Sequence, residues 1–157
     1  MIEEQTIKQS GSQEQEVPML KGKILSFDHI EVYNFKSFAG RHTIGPFSQK
    51  TVILGPNGGG KSSIFDSVTF CLASKKTEFK ASSTSKLVTN KKKSEGCYVK
   101  IFCKFQPQCP PGDSPTTTQI IFHRSIDKTN LNTYLINSTA YKKNSYRAQI
   151  RYPQFRS

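Results

Sequence analysis

The run Gly55-Pro56-Asn57-Gly58-Gly59-Gly60-Lys61-Ser62 has the residue types and spacing G-x-x-x-x-G-K-[ST] of a phosphate-binding loop. Its glycines let successive backbone N–H groups curl toward one anion, through conformations that side chains resist. A helix opening directly after the loop adds unpaired N–H donors and a partial positive charge. Lys61 supplies a mobile cation for β- and γ-phosphate oxygens, and the Ser62 hydroxyl can ligate Mg²⁺. The competing reading is a glycine-rich turn with an incidental lysine. It needs no particular neighbours, whereas the phosphate loop needs a strand before it and a helix after it.

Both neighbours are expected from the pattern. Thr51-Val52-Ile53-Leu54 is a short continuous apolar run, predicted as a strand buried on both faces. Downstream, Ile64, Phe65, Val68, Cys71 and Leu72 recur at three- and four-residue spacing. This predicts a helix from Ser62 or Ser63 to about Ala73-Ser74 with those residues inward. Upstream, His29 to Tyr33 reads as a half-buried strand with Ile30, Val32 and Asn34 on one face. A turn over 34–40 follows, then a strand over 41–44 closed by Gly45-Pro46. Cys97, Val99, Ile101, Cys103 and Phe105 share one face of a further strand. Residues 107–115 form a Pro/Gly/Asp loop, 119–126 and 133–137 two more strands, and Ala140 onward a polar, weakly helical stretch stopped by Pro153.

Composition bounds the alternatives. The chain has 157 residues with 34% hydrophobic content, and a mean hydropathy of −0.54. No apolar run approaches the roughly 20 residues of a membrane helix, and no apolar segment follows the N-terminus, so neither a membrane span nor a secretory signal is expected. Residues 1–22 are Glu/Gln/Ser/Lys-rich and are expected to be a disordered acidic tail, leaving one domain over 23–157. The net charge is +12, yet residues 1–20 carry four acids and one base, so the remainder is more basic still. Such a domain suits a polyanionic partner, or is simply a basic soluble protein. Four cysteines without C-x-x-C spacing read as reduced, buried thiols rather than a zinc site. Between 75 and 104 lie nine lysines and two acids. Lys75, Lys76, Lys80, Lys91, Lys92 and Lys93 are candidates for contact with a DNA backbone, the alternative being a solvated lysine loop.

The segments Asn34-Phe35-Lys36-Ser37-Phe38-Ala39-Gly40, Ile44-Gly45-Pro46-Phe47, the loop from Leu54 to Ser62, and Asp66-Ser67 resemble the N-terminal head segment of the structural maintenance of chromosomes (SMC) family. The resemblance covers about residues 23–150. It is greatest to condensin's larger Smc subunit, with the cohesin Smc subunits next and other ABC-type repair ATPases behind them. It implies an α/β fold with α+β character, the N-terminal lobe of an ABC-type P-loop ATPase head, with a mixed sheet and a P-loop helix. It further implies ATP and Mg²⁺ as cofactors, with ATP held by Lys36, Ser37, Asn57, Gly58, Gly59, Gly60, Lys61, Ser62 and Ser63, and Mg²⁺ by Ser62. Lys36 can also be an ordinary solvated turn lysine. Lys80 stands where the family often has an arginine implicated in coupling DNA to hydrolysis, and an ammonium does not reproduce that fork. Ala73-Ser74 and Asn137-Ser138 depart from the family's usual residues. The implied partners are a C-terminal head lobe, a second SMC subunit, a kleisin and DNA. The implied location is the nucleus and chromosome, with the cytoplasm as the alternative.

The family's Q-loop glutamine, signature motif and Walker B acids have no match within these 157 residues: Asp113 and Asp127 follow no suitable strand. The chain therefore reads as about the first half of a head, in a longer protein or as an inactive truncated paralogue. Alone, it is expected to bind ATP weakly and not to turn it over, since hydrolysis needs a positioned water and a general base.

Overall fold

The computed structural model describes residues 20–73, 86–89 and 95–151. Strand β1 (Gly22–Phe35) and strand β2 (Phe38–Ile44) form a hairpin, and helix α1 (Lys61–Cys71) follows. Strands β3 (Cys97–Pro107), β4 (Thr118–Ile126), β5 (Asn132–Ile136) and β6 (Thr139–Tyr141) then lead into helix α2 (Lys143–Arg151). The strands form one six-stranded sheet in the order β2-β1-β3-β4-β5-β6. The α/β class with a P-loop helix is what is found, although every pairing among the described strands is antiparallel rather than mixed.

Period-two alternation explains the sheet's inner face. Cys97, Val99, Ile101, Cys103 and Phe105 of β3 are all buried, as are Ile120, Phe122 and Ile126 of β4. Ile30, Val32 and Asn34 share that burial on β1. β1 reaches 14 residues because register shifts against β3, between Ile24 and Ser26 and between Phe27 and His29, let it follow the sheet's twist. The predicted turn over 34–40 is shorter than expected, because β2 already begins at Phe38.

At 11 residues, α1 is too short to persist on propensity alone, so its packing on β1, β3 and β4 must hold it. The face it buries is Ser63, Ser67, Phe70 and Cys71. The sequence pattern placed Phe65 inward, yet Phe65 is 66% exposed. Small serines let the helix approach the sheet closely, and the apolar residues Ile64 and Val68 lie only partly buried to one side.

The strand expected over 51–54 does not form. Those residues have no strand pairing, and Val52 and Leu54 are 79% and 86% exposed. A strand requires a neighbour to take its backbone donors and acceptors, and no described strand is hydrogen-bonded to this run. Thr51 and Ile53 instead border a groove of about 730 Å³ shared with Ile24, Phe27, Ile64 and Phe65. Of the expected tail only residues 20–22 are described. Gly22 opens β1, and the Leu20 amide donates to Gln149 Oε1 at 2.6 Å. No helix among the described residues is long and apolar enough to cross a membrane.

Candidate functional site

The glycine loop meets α1 at Gly60, which is the helix N-cap in a left-handed conformation, φ 87°. A Cβ there would lie 3.1 Å from Ser37 Oγ, so both backbone and space call for glycine. Gly58 is left-handed too, φ 82°. The Gly59 amide donates to Pro56 O at 3.1 Å, which folds the loop on itself. From Gly60 the helical ladder starts when the Ile64 amide donates to Gly60 O at 3.2 Å. The amides of Lys61, Ser62 and Ser63 have no acceptor among the described residues, and no side chain caps the helix.

The loop side chains divide by role. Asn57 is exposed, and so is Ser62, whose hydroxyl makes no hydrogen bond to a described residue. Lys61 turns back over its own loop, its Nζ donating to Gly55 O and Pro56 O, both at 2.6 Å. Its ammonium thus sits on carbonyl oxygens at the loop, where it can exchange them for phosphate oxygens. Ser63 is buried, and its Oγ accepts a 2.9 Å hydrogen bond from Ser37 Oγ. Three unpaired amides, a helix N-terminus, a lysine at the loop and a free hydroxyl form a donor set suited to a magnesium-bound polyphosphate.

Lys36 and Ser37, distant in sequence from the loop, are brought against it. Besides the Ser37–Ser63 contact, the Lys36 ammonium pairs with the Asp66 carboxylate on α1. Asp66 belongs to the site's framework, although spacing alone marked it only as a helix residue. Leu87, Val88 and Thr89 were missed altogether. They lie in a stretch read as a lysine-rich connection, yet Leu87 and Thr89 hydrogen-bond the Asn34–Phe38 turn from behind, with Val88 opposite Phe35 between them. Lys75, Lys76, Lys80, Lys91, Lys92 and Lys93 lie outside the described residues. Of the neighbouring lysines, Lys104 is exposed, whereas Lys100 pairs with Glu31 Oε1 at 3.3 Å and sits over the Tyr98 ring.

The opposite end of α1 is closed by protein. Arg124, 7% exposed, donates through Nη1 to Phe70 O at 2.9 Å and through Nη2 to Asn132 Oδ1 at 2.8 Å. Its guanidinium lies 4.2 Å from the Phe70 ring centroid and 5.1 Å from that of Tyr134. Burial lowers its pKa, but the cation meets two carbonyl-type oxygens, two ring faces and the negative end of a helix. The Tyr146 hydroxyl donates to Cys71 O at 2.9 Å. Burial pushes the Cys71 thiol up to about 12, so it stays protonated, a weak donor toward Val99 O and Phe122 O. Cys97 and Cys103 are raised to about 12 by the same cause, which makes all three inert core groups.

Residues 26–156 match the family model of the RecF/RecN/SMC N terminal domain. Structural maintenance of chromosomes protein 1 of Caenorhabditis elegans is 39% identical over 80 residues, which is 48% of this chain and 6% of that protein. Chromosome condensation protein dpy-27 of the same organism is 33% identical over 115 residues, 69% of this chain and 8% of that protein. The chain therefore spans less than a tenth of the length of these two relatives. A solved structure from work on ATP-driven dimerization and DNA-stimulated activation of SMC ATPases superposes with a TM-score of 0.65. It is 23% identical, covering 81% of this chain and 78% of that one. Its likeness is one of fold, and together with the family match over most of the sequence it leads to one conclusion: the chain belongs to the RecF/RecN/SMC N-terminal domain family.

Proposed function

We propose that this chain is the ATP-binding N-terminal lobe of a condensin-like SMC ATPase head, acting in chromosome organisation. The observation that carries the reading is the set of unpaired amides at Lys61, Ser62 and Ser63, facing a glycine loop with a lysine already at its mouth. In this reading the backbone of Gly58–Ser63 and the Lys61 ammonium hold the β- and γ-phosphates, and Ser62 Oγ binds Mg²⁺. Asn57, Lys36 and Ser37 complete the proposed nucleotide contacts. A recombination mediator protein RecF with ATP is among the solved structures of similar fold, at a TM-score of 0.58. That structure supports the same ligand class for this loop.

Hydrolysis is proposed to need a second lobe, because no Walker B pair, Q-loop or signature motif is found in these residues. Two surfaces fit such a lobe. The unpaired run 51–54 offers a strand's hydrogen-bonding groups, and Val52, Leu54 and Phe65 expose apolar surface next to it. A second SMC subunit and a kleisin are the further partners proposed. An SMC head bound to the C-winged helix domain of ScpA, similar in fold at a TM-score of 0.63, supports the last of these. The lysines of 75–93 are proposed to meet DNA phosphates in the nucleus. Membership of a cohesin-type complex is the second reading, favoured by the 39% identity to structural maintenance of chromosomes protein 1.

The test is titration calorimetry of the chain with MgATP. Lys61-dependent binding without steady turnover is expected. Absence of binding, or binding that Lys61→Ala leaves intact, would refute the nucleotide reading.

A further inference from the structure

We propose that Thr89 is a positioning residue for the phosphate loop. It locks the Asn34–Phe38 turn, and through that turn it sets the last glycine of the loop and the first turn of α1. The ligand in this proposal rests on the ATP reading above, whereas the mechanical linkage rests on geometry alone.

The turn is one the chain does not hold unaided. Asn34 and Lys36 both have φ 48°, the left-handed region that asparagine tolerates but that is costly for lysine. Such backbone persists only where its surroundings fix it. Part of the fixing is internal, the Gly40 amide donating to Asn34 Oδ1 at 2.7 Å, and the rest comes from Leu87, Val88 and Thr89. The Lys36 amide donates to Leu87 O at 2.7 Å, and the Thr89 amide donates to Asn34 O at 2.8 Å. Phe35 and Val88 form an isolated antiparallel bridge between those two bonds. The Thr89 hydroxyl donates its single proton between Lys36 O at 2.8 Å and Phe38 O at 3.0 Å. Leu87, Val88 and Thr89 are 4%, 6% and 8% exposed, so water is poorly placed to replace a lost bond.

The same turn presses on the phosphate site from its other side. Ser37 Oγ bonds Ser63 Oγ and would lie 3.1 Å from a Cβ at residue 60. Lys36 reaches Asp66 one turn further along α1. Both contacts depend on the direction in which the turn points, and that direction is set by the strap formed by Leu87, Val88 and Thr89. Thr89 is the one strap residue whose side chain bonds the turn, which makes it separable from the backbone by mutation.

Thr89→Val keeps the volume and removes the donor. In the full chain it is expected to speed amide hydrogen exchange over residues 58–64 while leaving β3 and β4 unchanged. MgATP affinity should fall about three- to tenfold, the weight of one hydrogen bond to a buried carbonyl. Thr89→Ser, which keeps the hydroxyl, should restore both. A core variant at Ile136, matched to Thr89→Val in stability, should move neither. Unchanged exchange over 58–64 in Thr89→Val, or an equal change in the matched control, overturns the proposal. If the wild-type chain fails to bind MgATP while the exchange still responds to Thr89→Val, the ATP reading falls and the positioning role stands.

Discussion

At its C-terminal end α1 delivers the carbonyls of Phe70 and Cys71 to Arg124 and Tyr146, both buried. At its N-terminal end the amides of Lys61, Ser62 and Ser63 meet no acceptor among the described residues. A helix leaves unpaired groups at both ends, and folding alone would satisfy both. The asymmetry separates two demands. One end anchors the helix to the sheet through a buried guanidinium and a tyrosine. The other keeps its donors available beside a turn whose Ser37 bonds Ser63 and which Leu87 and Thr89 hold from behind. Anchoring carbonyls and open amide donors thus lie at opposite ends of one 11-residue helix.

The largest expected effect falls at the closed end. Arg124→Ala removes a side chain that bonds Phe70 O and Asn132 Oδ1 and stacks on two rings. It should cost about 3 kcal/mol in a urea titration. A loss under about 1 kcal/mol would mean that this end is not the anchor. Lys61→Ala should do the reverse. MgATP affinity should drop roughly 10- to 100-fold, about 1.4–2.7 kcal/mol, while stability stays within about 0.5 kcal/mol. If Lys61→Ala unfolds the chain instead, the separation between the two ends is broken.

Tyr146→Phe tests the anchor more finely. It orphans Cys71 O and should cost about 1 kcal/mol with MgATP affinity unchanged, read by the same two measurements. The smallest effect is on the sheet's outer face, remote from both ends. Burial tends to raise the Glu31 pKa, but hydrogen bonds from Arg41, Tyr98 and Lys100 outweigh it and hold the carboxyl below its usual value of 4.5. The stability this contributes is present above pH 4.5 and is lost as pH falls through the lower folded value. Glu31→Gln should flatten that acid limb by less than about 1 kcal/mol in urea midpoints taken across pH 3–6. An unaltered limb would assign acid sensitivity to other carboxylates.

Much of the scaffold was readable because it depends on neighbours close in sequence. The alternation of Cys97 to Phe105 gave the inner face of β3, and the loop-to-helix transition at Gly60-Lys61 appeared where the motif required it. The inner face of α1 was misread. Hydrophobic spacing favoured Phe65, whereas close approach to the sheet selected Ser63 and Ser67. The Arg124 cap left no trace in the pattern, since a lone arginine on a strand ordinarily faces solvent. Thr89 was hidden in a lysine-rich stretch because its partners lie more than 50 residues earlier in the chain.

By itself, then, the order of residues determined the glycine-loop-to-helix junction and the inward set of the strands, because glycine content, charge and periodicity act over a few neighbours. Only the tertiary structure decided which end of α1 stays open, which turn buttresses the loop, and that residues 51–54 have no pairing partner among the described residues. A backbone group becomes a ligand donor, a cap or an unpaired edge according to what the rest of the fold brings within 3 Å of it.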